Sequence, residues 1–279
     1  MPELPEVEAA RRLVDRTGRG RRIVDVWCAD DPIVLEGTTP AALRKVLLGR
    51  TMRRAGRHGK HLWIELDGRP WPVFHFGMSG GFHSTSERGV RLVSSRWDAS
   101  ETAWPPRFTK LRMRLDDGTE IVFADARRLG RIRLRHDPRA EPPVSALGFD
   151  ALRELPPARR LRDLLDGRTA PVKAVLLDQS FAAGVGNWIA DEVLYQAAID
   201  PRRRVHTLTS RDLTRMRAAL RTVVTTAVRL QADSDRFPRG WLFHYRWGRN
   251  ADAVTPRGDR IRHITVGGRT TAWVPAVQH

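Results

Sequence analysis

Apolar and polar residues alternate with two different periods along this chain. The N-terminal segment repeats its apolar residues at steps of three and four, which predicts a helix over 4 to 16 that ends near Gly18. The residues on this apolar face are Val7, Ala10, Leu13 and Val14. From about 20 to 135 the pattern changes to short runs of period two, such as HLWIEL at 61 to 66 and VFHFGM at 73 to 78. This change predicts one helix followed by a β-rich region.

The end of the β-rich region and the segment after it show the same two periods. LRMRLDDGTEIVF at 111 to 123 alternates, breaks at Asp117-Gly118 and resumes, which predicts a hairpin. After the loop-like DPRAEPP at 137 to 143, helical spacing returns and is longest in a segment that places its arginines mostly on the other helix surface. The apolar positions of that segment are Leu213, Met216, Leu220, Val223, Ala227 and Leu230, and its arginines are Arg211, Arg215, Arg217, Arg221 and Arg229.

The last segment is short, basic and strand-like, with a predicted turn at Gly267-Gly268. The composition therefore divides the chain into a β-rich part at 1–136, a helical part at 137–235 and a strand-like part at 236–279. This arrangement predicts the α+β class.

The charge balance points to a polyanionic partner. The chain has 49 Lys and Arg against 32 Asp and Glu, a formal net charge of +17. Each phosphate that such a surface neutralises releases counterions, so nucleic acid is the first partner to consider. A genome that favours arginine codons gives the same composition, so charge alone leaves the partner open.

Composition also limits the cell compartment and the kind of site. No apolar run approaches membrane-spanning length, and no secretory leader opens the chain, so we expect a cytoplasmic protein. Cys28 is the only cysteine, which excludes an intrachain disulfide and a thiolate cluster for zinc or iron-sulfur.

The N-terminal residues MPELPEVEAA raise a chemical question about Pro2. One interpretation is structural, because proline and acidic residues are common in the first turn of a helix. The other is catalytic: removal of Met1 would expose a secondary amine with a pKa of roughly 8 or below. Attack of that amine on a sugar C1' gives an iminium ion that prepares strand-breaking elimination, and Glu3 is adjacent to shuttle protons.

Three further stretches could contact nucleic acid. In RHGKHLW, Lys60 lies at a turn into a strand, where it could contact a phosphate, donate a proton or simply be solvated. In FADARRLGR, Arg127 and Arg128 precede Leu129, which suits a wedge inserted into a duplex but also an ordinary strand-end turn. In LLDQSFAAGVGNWIADEVL the glycines predict a tight turn and a helix beginning at Asn187, whose free N–H groups would bind phosphate.

These four stretches, in this order, resemble the formamidopyrimidine-DNA glycosylase and endonuclease VIII family of base-excision repair enzymes. The resemblance runs from PELPEVE to GGRTTAW, nearly the whole chain. It implies a two-layer N-terminal β-sandwich with an N-terminal helix, a helix-two-turn-helix domain, and a C-terminal β-hairpin finger. The boundaries read above would then separate a catalytic domain at 1–136, a DNA-binding domain at 137–235 and the finger at 236–279.

The resemblance also implies residue roles. Pro2 resembles the Schiff-base nucleophile and Glu3 the general acid/base, with Glu6, Lys60 and His75 in supporting and phosphate-contacting positions. Met78 and Arg127 resemble the residues that fill the hole left by the flipped base, and Leu129 occupies the usual position of the wedge phenylalanine. The other positions implied to bind DNA are Arg128, Lys173, Asn187 and Arg269.

Two departures from the family pattern affect the finger and the lesion preference. Four positions that usually hold zinc-binding cysteines carry other residues, which implies a zincless finger held by hydrophobic contacts. These positions are Val254, Arg257, Val274 and Val277. The connection in QADSDRFPRGWLFHYRWGR is short, and its LFHYRWGR part is closer to endonuclease VIII, so the preferred lesion stays open among 8-oxoguanine, formamidopyrimidines, oxidised pyrimidines and hydantoins.

The resemblance implies a bifunctional DNA glycosylase/AP lyase that excises oxidised bases and cuts the strand by β,δ-elimination. We expect it to act as a monomer on damaged double-stranded DNA, with no metal, organic cofactor or membrane. The alternatives are a protein on the same scaffold that binds damage or abasic sites without chemistry, and a basic structural nucleic-acid protein.

Overall fold

The computed structural model describes residues 2–87, 89, 104–248 and 252–279. The predicted β-rich region and the predicted finger each include positions outside that set. The chain forms two compact units. Unit 1 comprises Met1–Ala146 with Gln231–Asp233, and unit 2 comprises Leu147–Leu230 with Ser234–His279.

The described residues of unit 1 form two four-stranded antiparallel sheets and two α-helices, α1 (Leu4–Gly18) and α2 (Pro40–Leu47). Four strands form the first sheet in the order β1-β6-β7-β5: β1 (Ile23–Cys28), β5 (Gly81–Ser84), β6 (Thr109–Leu115) and β7 (Glu120–Ala124). Four strands form the second in the order β2-β3-β4-β8: β2 (Met52–His58), β3 (His61–Leu66), β4 (Trp71–His75) and β8 (Arg131–Arg135). Both sheets and α1 contribute to one apolar core, as a β-sandwich requires.

The predicted N-terminal helix is confirmed, and its sequence explains both ends. Glu3 is the N-cap and forms a capping box with Glu6, while Pro5 lies in the first turn. At the other end, a Cβ on Gly18 would lie 2.3 Å from the Met52 Cε, so glycine allows the helix to approach the second sheet closely. Pro2 therefore lies directly before the N-cap, and the helix begins at Leu4.

The predicted hairpin at Asp117-Gly118 is also confirmed. The turn joins β6 to β7, and Gly118 has a φ of +84°, a conformation that other residues adopt at a cost. The alternating residues Leu111, Met113 and Leu115 are buried in the core, as their spacing of two predicts.

Unit 2 is mainly helical and ends in a hairpin. Its helices are α3 (Ala158–Leu165), α4 (Val172–Leu177), α5 (Asn187–Gln196) and α6 (Ser210–Arg229). Its strands are β9 (Phe149–Asp150), β10 (Ala182–Ala183), β11 (Arg262–Val266) and β12 (Arg269–Trp273). Strands β9 and β10 pair in parallel, and β11 and β12 form an antiparallel hairpin. The helix predicted to begin at Asn187 and the turn predicted at Gly267-Gly268 are both present.

The long predicted helix corresponds to α6, which begins at a capping box between Thr209 and Asp212. Its predicted apolar face is buried from Leu213 to Ala227, whereas Leu230 is the C-cap and is only partly buried. Short 3-10 turns occur at Val144–Ala146, Val205–Thr207, Ser234–Arg236 and Leu242–His244.

The part of the chain that the structure describes lacks two kinds of feature. None of its helices combines the length and apolar character needed to cross a bilayer. Within the same residues, no group of three or more His, Cys, Asp or Glu side chains is arranged to hold a metal ion.

Candidate active site and nucleic-acid interface

The N-terminus of unit 1 is fixed by the first turn of α1. The Glu6 Oε2 accepts a hydrogen bond of 2.9 Å from the Glu3 N–H, and the Glu3 side chain accepts one from the Glu6 N–H. Pro2 and Glu3 are both buried. The reciprocal bonds hold the backbone next to Pro2 in one conformation, so the predicted nucleophile and acid/base have a defined geometry.

The Glu6 carboxyl titrates far from its ordinary range. Burial, helped by the nearby negative charge of Glu3, raises the pKa of Glu6 from 4.5 to about 7. Backbone hydrogen bonds oppose this shift without cancelling it. Near neutral pH, Glu6 therefore exists in both protonation states next to the predicted acid/base.

A buried ion pair connects α1 to the turn that carries Lys60. The Arg57 Nε donates to the Glu8 Oε2 over 2.9 Å, and both side chains are buried. The Arg57 guanidinium also donates to the Gly59 carbonyl over 2.8 Å. Because Gly59 has a φ of +55° and directly precedes Lys60, this chain of contacts fixes the turn relative to the helix.

Lys60 lies close to His61 and His75, which pair with each other at one end of the inner strands β3 and β4. Burial first, and then the charge of Lys60, lowers the pKa of His75 to about 4, and burial together with His75 lowers the pKa of His61 to about 3. The two imidazole rings lie 4.9 Å apart. The Nδ1 of His75 accepts a hydrogen bond from the Gly77 N–H, so the neutral ring carries its proton on Nε2. His75 thus has an Nε2–H group, and a predicted phosphate contact needs a donor of this kind.

Asp125 joins the two loops that carry Met78, Arg127 and Leu129. Its Oδ1 accepts from the Ser79 hydroxyl over 2.6 Å and from the Arg127 N–H, and its Oδ2 accepts from the Gly130 N–H over 2.6 Å. The loops also touch directly, because a Cβ on Gly77 would lie 2.3 Å from the Leu129 carbonyl carbon. The structure therefore brings the three predicted gap-filling residues together.

The tips of these loops are exposed, although Leu129 and Met78 are apolar. Met78 is 37% exposed and Leu129 is 41% exposed, and Arg127 is also at the surface. Exposed apolar side chains beside an arginine are suited to enter a base stack. Arg128 differs from its neighbours, because its guanidinium forms an ion pair with Asp31.

Lys173 in unit 2 lies in the interior and not at the surface. Its Nζ lies 2.5 Å from the Asp191 Oδ1 and donates to the Thr271 Oγ1 over 2.7 Å. Arg246 donates to the other oxygen of Asp191 over 2.6 Å, and the Ala272 N–H donates to that oxygen over 3.1 Å. Lys173 therefore supports β12, and its predicted contact with DNA stays a prediction.

Asn187 contacts the backbone of the residue that follows Arg269. The Asn187 Nδ2 donates to the Thr270 carbonyl over 2.8 Å, and Arg269 is exposed next to Thr270 at the start of β12. Gly267 and Gly268 both have positive φ in the turn before Arg269. A Cβ on Gly267 would lie 3.0 Å from the Ala174 Cβ, so the turn packs closely against α4. These contacts fix the backbone from which Arg269 projects.

The four positions that match zinc-binding cysteines are divided between core and surface. Val274 is buried in a small apolar cluster with Leu242, and Val277 packs against that cluster. Val254 is 46% exposed, and Arg257 is at the surface. Val274 and Val277 therefore take part in hydrophobic contacts where the family usually has zinc ligands. Asp191, which pairs with Lys173 and Arg246 and accepts from the Ala272 N–H, further links α5 to the hairpin.

Several residues of the site were missed by sequence reasoning. Glu8 could have been identified from the sequence, because it is a charged residue four positions after Leu4 on the apolar face of the predicted helix. Asp125 could have been identified as well, since aspartate directly after a strand often caps the following turn. Asp31, Arg57 and Asp191 have partners that are distant in sequence, and nothing in their local pattern marks them.

Comparisons with known proteins give the family to which this sequence is similar. Residues 1–132 match the family model described as the formamidopyrimidine-DNA glycosylase N-terminal domain, and residues 147–238 match that of the formamidopyrimidine-DNA glycosylase H2TH domain. The chain is 41% identical over 280 aligned positions to the formamidopyrimidine-DNA glycosylase of Arabidopsis thaliana, covering all of this chain and 71% of that protein. It is 32% identical to the enzyme of that name from Afipia carboxidovorans, with both chains fully covered.

Solved structures share the fold. The Lactococcus lactis formamidopyrimidine-DNA glycosylase, bound non-covalently to DNA with an AP site, has a TM-score of 0.80 at 24% identity and covers 99% of each chain. The same enzyme in complex with DNA that contains an oxidised pyrimidine has a TM-score of 0.81 at 24% identity, with full coverage of both chains. At this identity the likeness supports the predicted α+β architecture.

Proposed function

This chain belongs to the formamidopyrimidine-DNA glycosylase family, and from that premise we propose that it is a bifunctional DNA glycosylase/AP lyase. It excises oxidised bases from double-stranded DNA and then cuts the strand at the resulting site. The observation that carries this proposal is the placement of Pro2 directly before the N-cap of α1, with the Glu3 carboxyl buried beside it. A chain terminus at that point supplies the secondary amine that the chemistry needs.

The proposed reaction begins when Met1 is removed. The Pro2 amine attacks the sugar C1', the N-glycosidic bond breaks, and the base leaves with a proton delivered by an acid such as Glu3. The C1'–O4' bond then breaks as O4' takes up a proton, which opens the sugar and leaves an iminium ion between C1' and the Pro2 nitrogen. The iminium ion acidifies the C2' proton, and removal of that proton breaks the C3'–O bond and expels the 3'-phosphate. A second elimination breaks the C5'–O bond, after which hydrolysis releases Pro2.

The remaining residues bind and position DNA. Met78, Arg127 and Leu129 enter the gap left by the everted base, and Lys60 and His75 contact phosphate beside it. Arg269 contacts phosphate from the hairpin of unit 2. The net charge of +17 of the whole chain also favours binding to DNA. No metal ion or organic cofactor takes part in these steps, and one chain is sufficient for one lesion in the cytoplasm.

The proposal is tested by borohydride trapping of the methionine-processed protein on a panel of duplexes. The panel carries 8-oxoguanine, 5-hydroxycytosine, dihydrouracil, a hydantoin or a plain abasic site. We expect a covalent adduct on one or more base lesions, and we expect Pro2→Gly to lose the adduct while it retains DNA binding. Pro5→Ala is the matched control, since it removes a proline of the same helix start without changing the terminal amine.

Each other outcome has a distinct meaning. An adduct on the abasic site alone would show a lyase without base excision. Binding without any adduct would overturn the proposal in favour of a non-catalytic protein that recognises damage. An adduct of undiminished yield in Pro2→Gly would overturn the requirement for a secondary amine, because it could form on the terminal amine of the glycine or on another amine of the chain.

A further inference from the structure

The loop that carries Arg127 and Leu129 contains a residue in an unfavourable backbone conformation. Arg128, between them, has a φ of +56°, in the left-handed region that favours glycine. For a residue with a Cβ this conformation costs about 1 kcal/mol, so other contacts must hold it. Asp125 binds the N–H groups of Arg127 and Gly130 on either side, and Arg131 donates to the Arg128 carbonyl over 3.3 Å. The Arg128 side chain supplies a further contact in the middle of the loop.

That side chain makes a two-pronged ion pair with Asp31. The Arg128 Nε donates to the Asp31 Oδ2 over 2.9 Å, and an Arg128 terminal nitrogen donates to the Oδ1 over 3.0 Å. Asp31 is 97 residues away in sequence and only 4% exposed. A planar guanidinium that meets both oxygens of one carboxylate has a fixed direction as well as a favourable energy.

The carboxylate is itself held rigidly. Lys110 donates to the Asp31 Oδ2 over 2.9 Å, and the N–H groups of Ile33 and Val34 donate to its Oδ1. Burial alone would raise the pKa of Asp31, but the hydrogen bonds from Arg128 and Lys110 outweigh it and hold that pKa well below its ordinary value. Asp31 therefore stays ionised over the whole working range of pH.

We propose that Asp31 is a positioning residue for DNA binding: by holding the Arg128 side chain, it fixes the left-handed turn and thereby the backbone from which Arg127 and Leu129 enter the duplex. This inference rests on the proposed function of those two residues. It assigns to Arg128 a role inside the protein, in place of the phosphate contact that its position beside Arg127 implies.

The two roles of Arg128 predict opposite effects for a change at Asp31. If Arg128 contacts phosphate, Asp31→Ala frees its guanidinium and strengthens binding to any duplex, with a steeper salt dependence. If Arg128 positions the loop, Asp31→Ala weakens binding to a duplex in which a base is missing or everted, because the left-handed turn that carries Arg127 and Leu129 loses its support. The sign of the effect separates the two roles.

The experiment compares wild-type protein with Asp31→Ala, Arg128→Ala and the double variant. The first readout is the ratio of the Kd for an intact duplex to the Kd for the same duplex with a tetrahydrofuran abasic analogue. The second is the single-turnover rate of base excision from whichever lesion duplex the wild type processes. We expect Asp31→Ala and Arg128→Ala each to reduce the Kd ratio and the excision rate about tenfold, which is the effect of losing one charge-assisted contact. Since both variants break the same contact, the double variant should reduce them no further.

A glycine variant tests the backbone part of the mechanism. Glycine adopts a positive φ without strain, so Arg128→Gly should retain more of the binding ratio than Arg128→Ala does. Arg54→Ala is the matched control, because it removes an arginine of unit 1 that pairs with Glu65 on neighbouring strands, with the same change in charge. We expect Arg54→Ala to leave both readouts unchanged.

The outcomes distinguish this proposal from the function on which it rests. A wild type that excises nothing would overturn the proposed function, whereas the Kd ratio would still test Asp31 without any chemistry. A ratio unchanged in Arg128→Ala, whose side chain is half exposed and whose loss leaves the core intact, would overturn the positioning role. Tighter general binding in Asp31→Ala would overturn it in favour of the phosphate contact.

Discussion

Glu8 in unit 1 and Asp191 in unit 2 are both buried carboxylates paired with cationic side chains, but the two carboxylates join different kinds of element. Glu8 pairs with Arg11 and with the buried Arg57, and so links α1 to a sheet that already covers the helix. Asp191 pairs with Lys173 and Arg246, and it also accepts a hydrogen bond from the backbone of β12.

The difference lies in what else holds each element. Helix α1 also contributes apolar residues to the core of unit 1, so it has support apart from Glu8. The β11–β12 hairpin has only two strands, which are marginally stable in isolation, and its apolar cluster is small. We infer that Glu8 refines the position of the chemical residues, whereas Asp191 determines whether the hairpin with Arg269 is ordered.

The largest expected effect separates these two roles directly. Asp191→Ala leaves two buried cations without their carboxylate, so we expect a loss of about 3–5 kcal/mol in the local stability of the hairpin. Glu8→Ala should cost a similar amount in unit 1. Peptide-resolved hydrogen exchange measures both, and we expect Asp191→Ala to increase exchange in β11 and β12 and Glu8→Ala to increase it in α1 and the Lys60 turn.

Functional readouts should divide in the same way. We expect Asp191→Ala to weaken DNA binding and Glu8→Ala to slow adduct formation on bound DNA. The controls are Asp163→Ala and Glu87→Ala, which remove carboxylates from exposed ion pairs and should cost at most about 1 kcal/mol. The comparison fails if Glu8→Ala loses DNA affinity and Asp191→Ala loses only the chemical rate.

The second effect concerns two buried glutamates, one in each unit, whose pKa values are raised. Burial raises the pKa of Glu192 in unit 2 from 4.5 to about 7, the same direction as for Glu6 in unit 1. Because the folded pKa lies above the unfolded one, each protonated glutamate contributes to the free energy of unfolding. That contribution is complete below about pH 4.5 and is lost as the pH rises to about 7. For the fully buried Glu192 the loss is on the order of 3 kcal/mol.

Glutamine variants measure the consequence of each titration. Glu192→Gln keeps the size of the side chain and should flatten the dependence of unfolding free energy on pH between 4.5 and 7, with no change in the pH profile of adduct formation. Glu6→Gln should instead alter that profile near pH 7, because it removes a titrating group beside Glu3. A change in the adduct profile for Glu192→Gln would contradict the separation.

The smallest effect tests the hairpin at its exposed end. Arg269→Ala should weaken duplex binding about tenfold and reduce the salt slope of binding by about 1, since one phosphate contact is lost. Arg221→Ala, which removes an exposed arginine of α6, is the control and should leave both quantities nearly unchanged. Equal effects of the two variants would mean that the basic surface binds DNA without a preferred contact.

The features that could be predicted from the sequence are those with local causes. The end of α1 at Gly18, the hairpin turn at Gly118 and the helix start at Asn187 depend on residues within a few positions of each other. Glycine conformation and helix capping determine such features, and both can be read from a short segment.

The features that could not be predicted join distant residues. Asp31 meets Arg128 across 97 positions, and Arg246 meets Asp191 across 55. An arginine-rich chain offers many partners for each carboxylate, so only the folded arrangement selects one. For the same reason the ion pairs of Lys173 with Asp191 and of Arg128 with Asp31 could not be predicted from their motifs, and the predicted DNA contacts of both residues stay predictions.

The anchoring of the Arg127–Leu129 loop has a consequence for how sequences of this kind can diverge. Asp125 binds the N–H groups of Arg127 and Gly130 and the hydroxyl of Ser79, but not the side chains at 127 and 129. Substitutions at 129 therefore leave this anchor intact, and leucine there is one such replacement of the usual phenylalanine. If Leu129 enters the duplex as proposed, exchange of this one side chain tests its effect on lesion preference while the supporting framework stays constant.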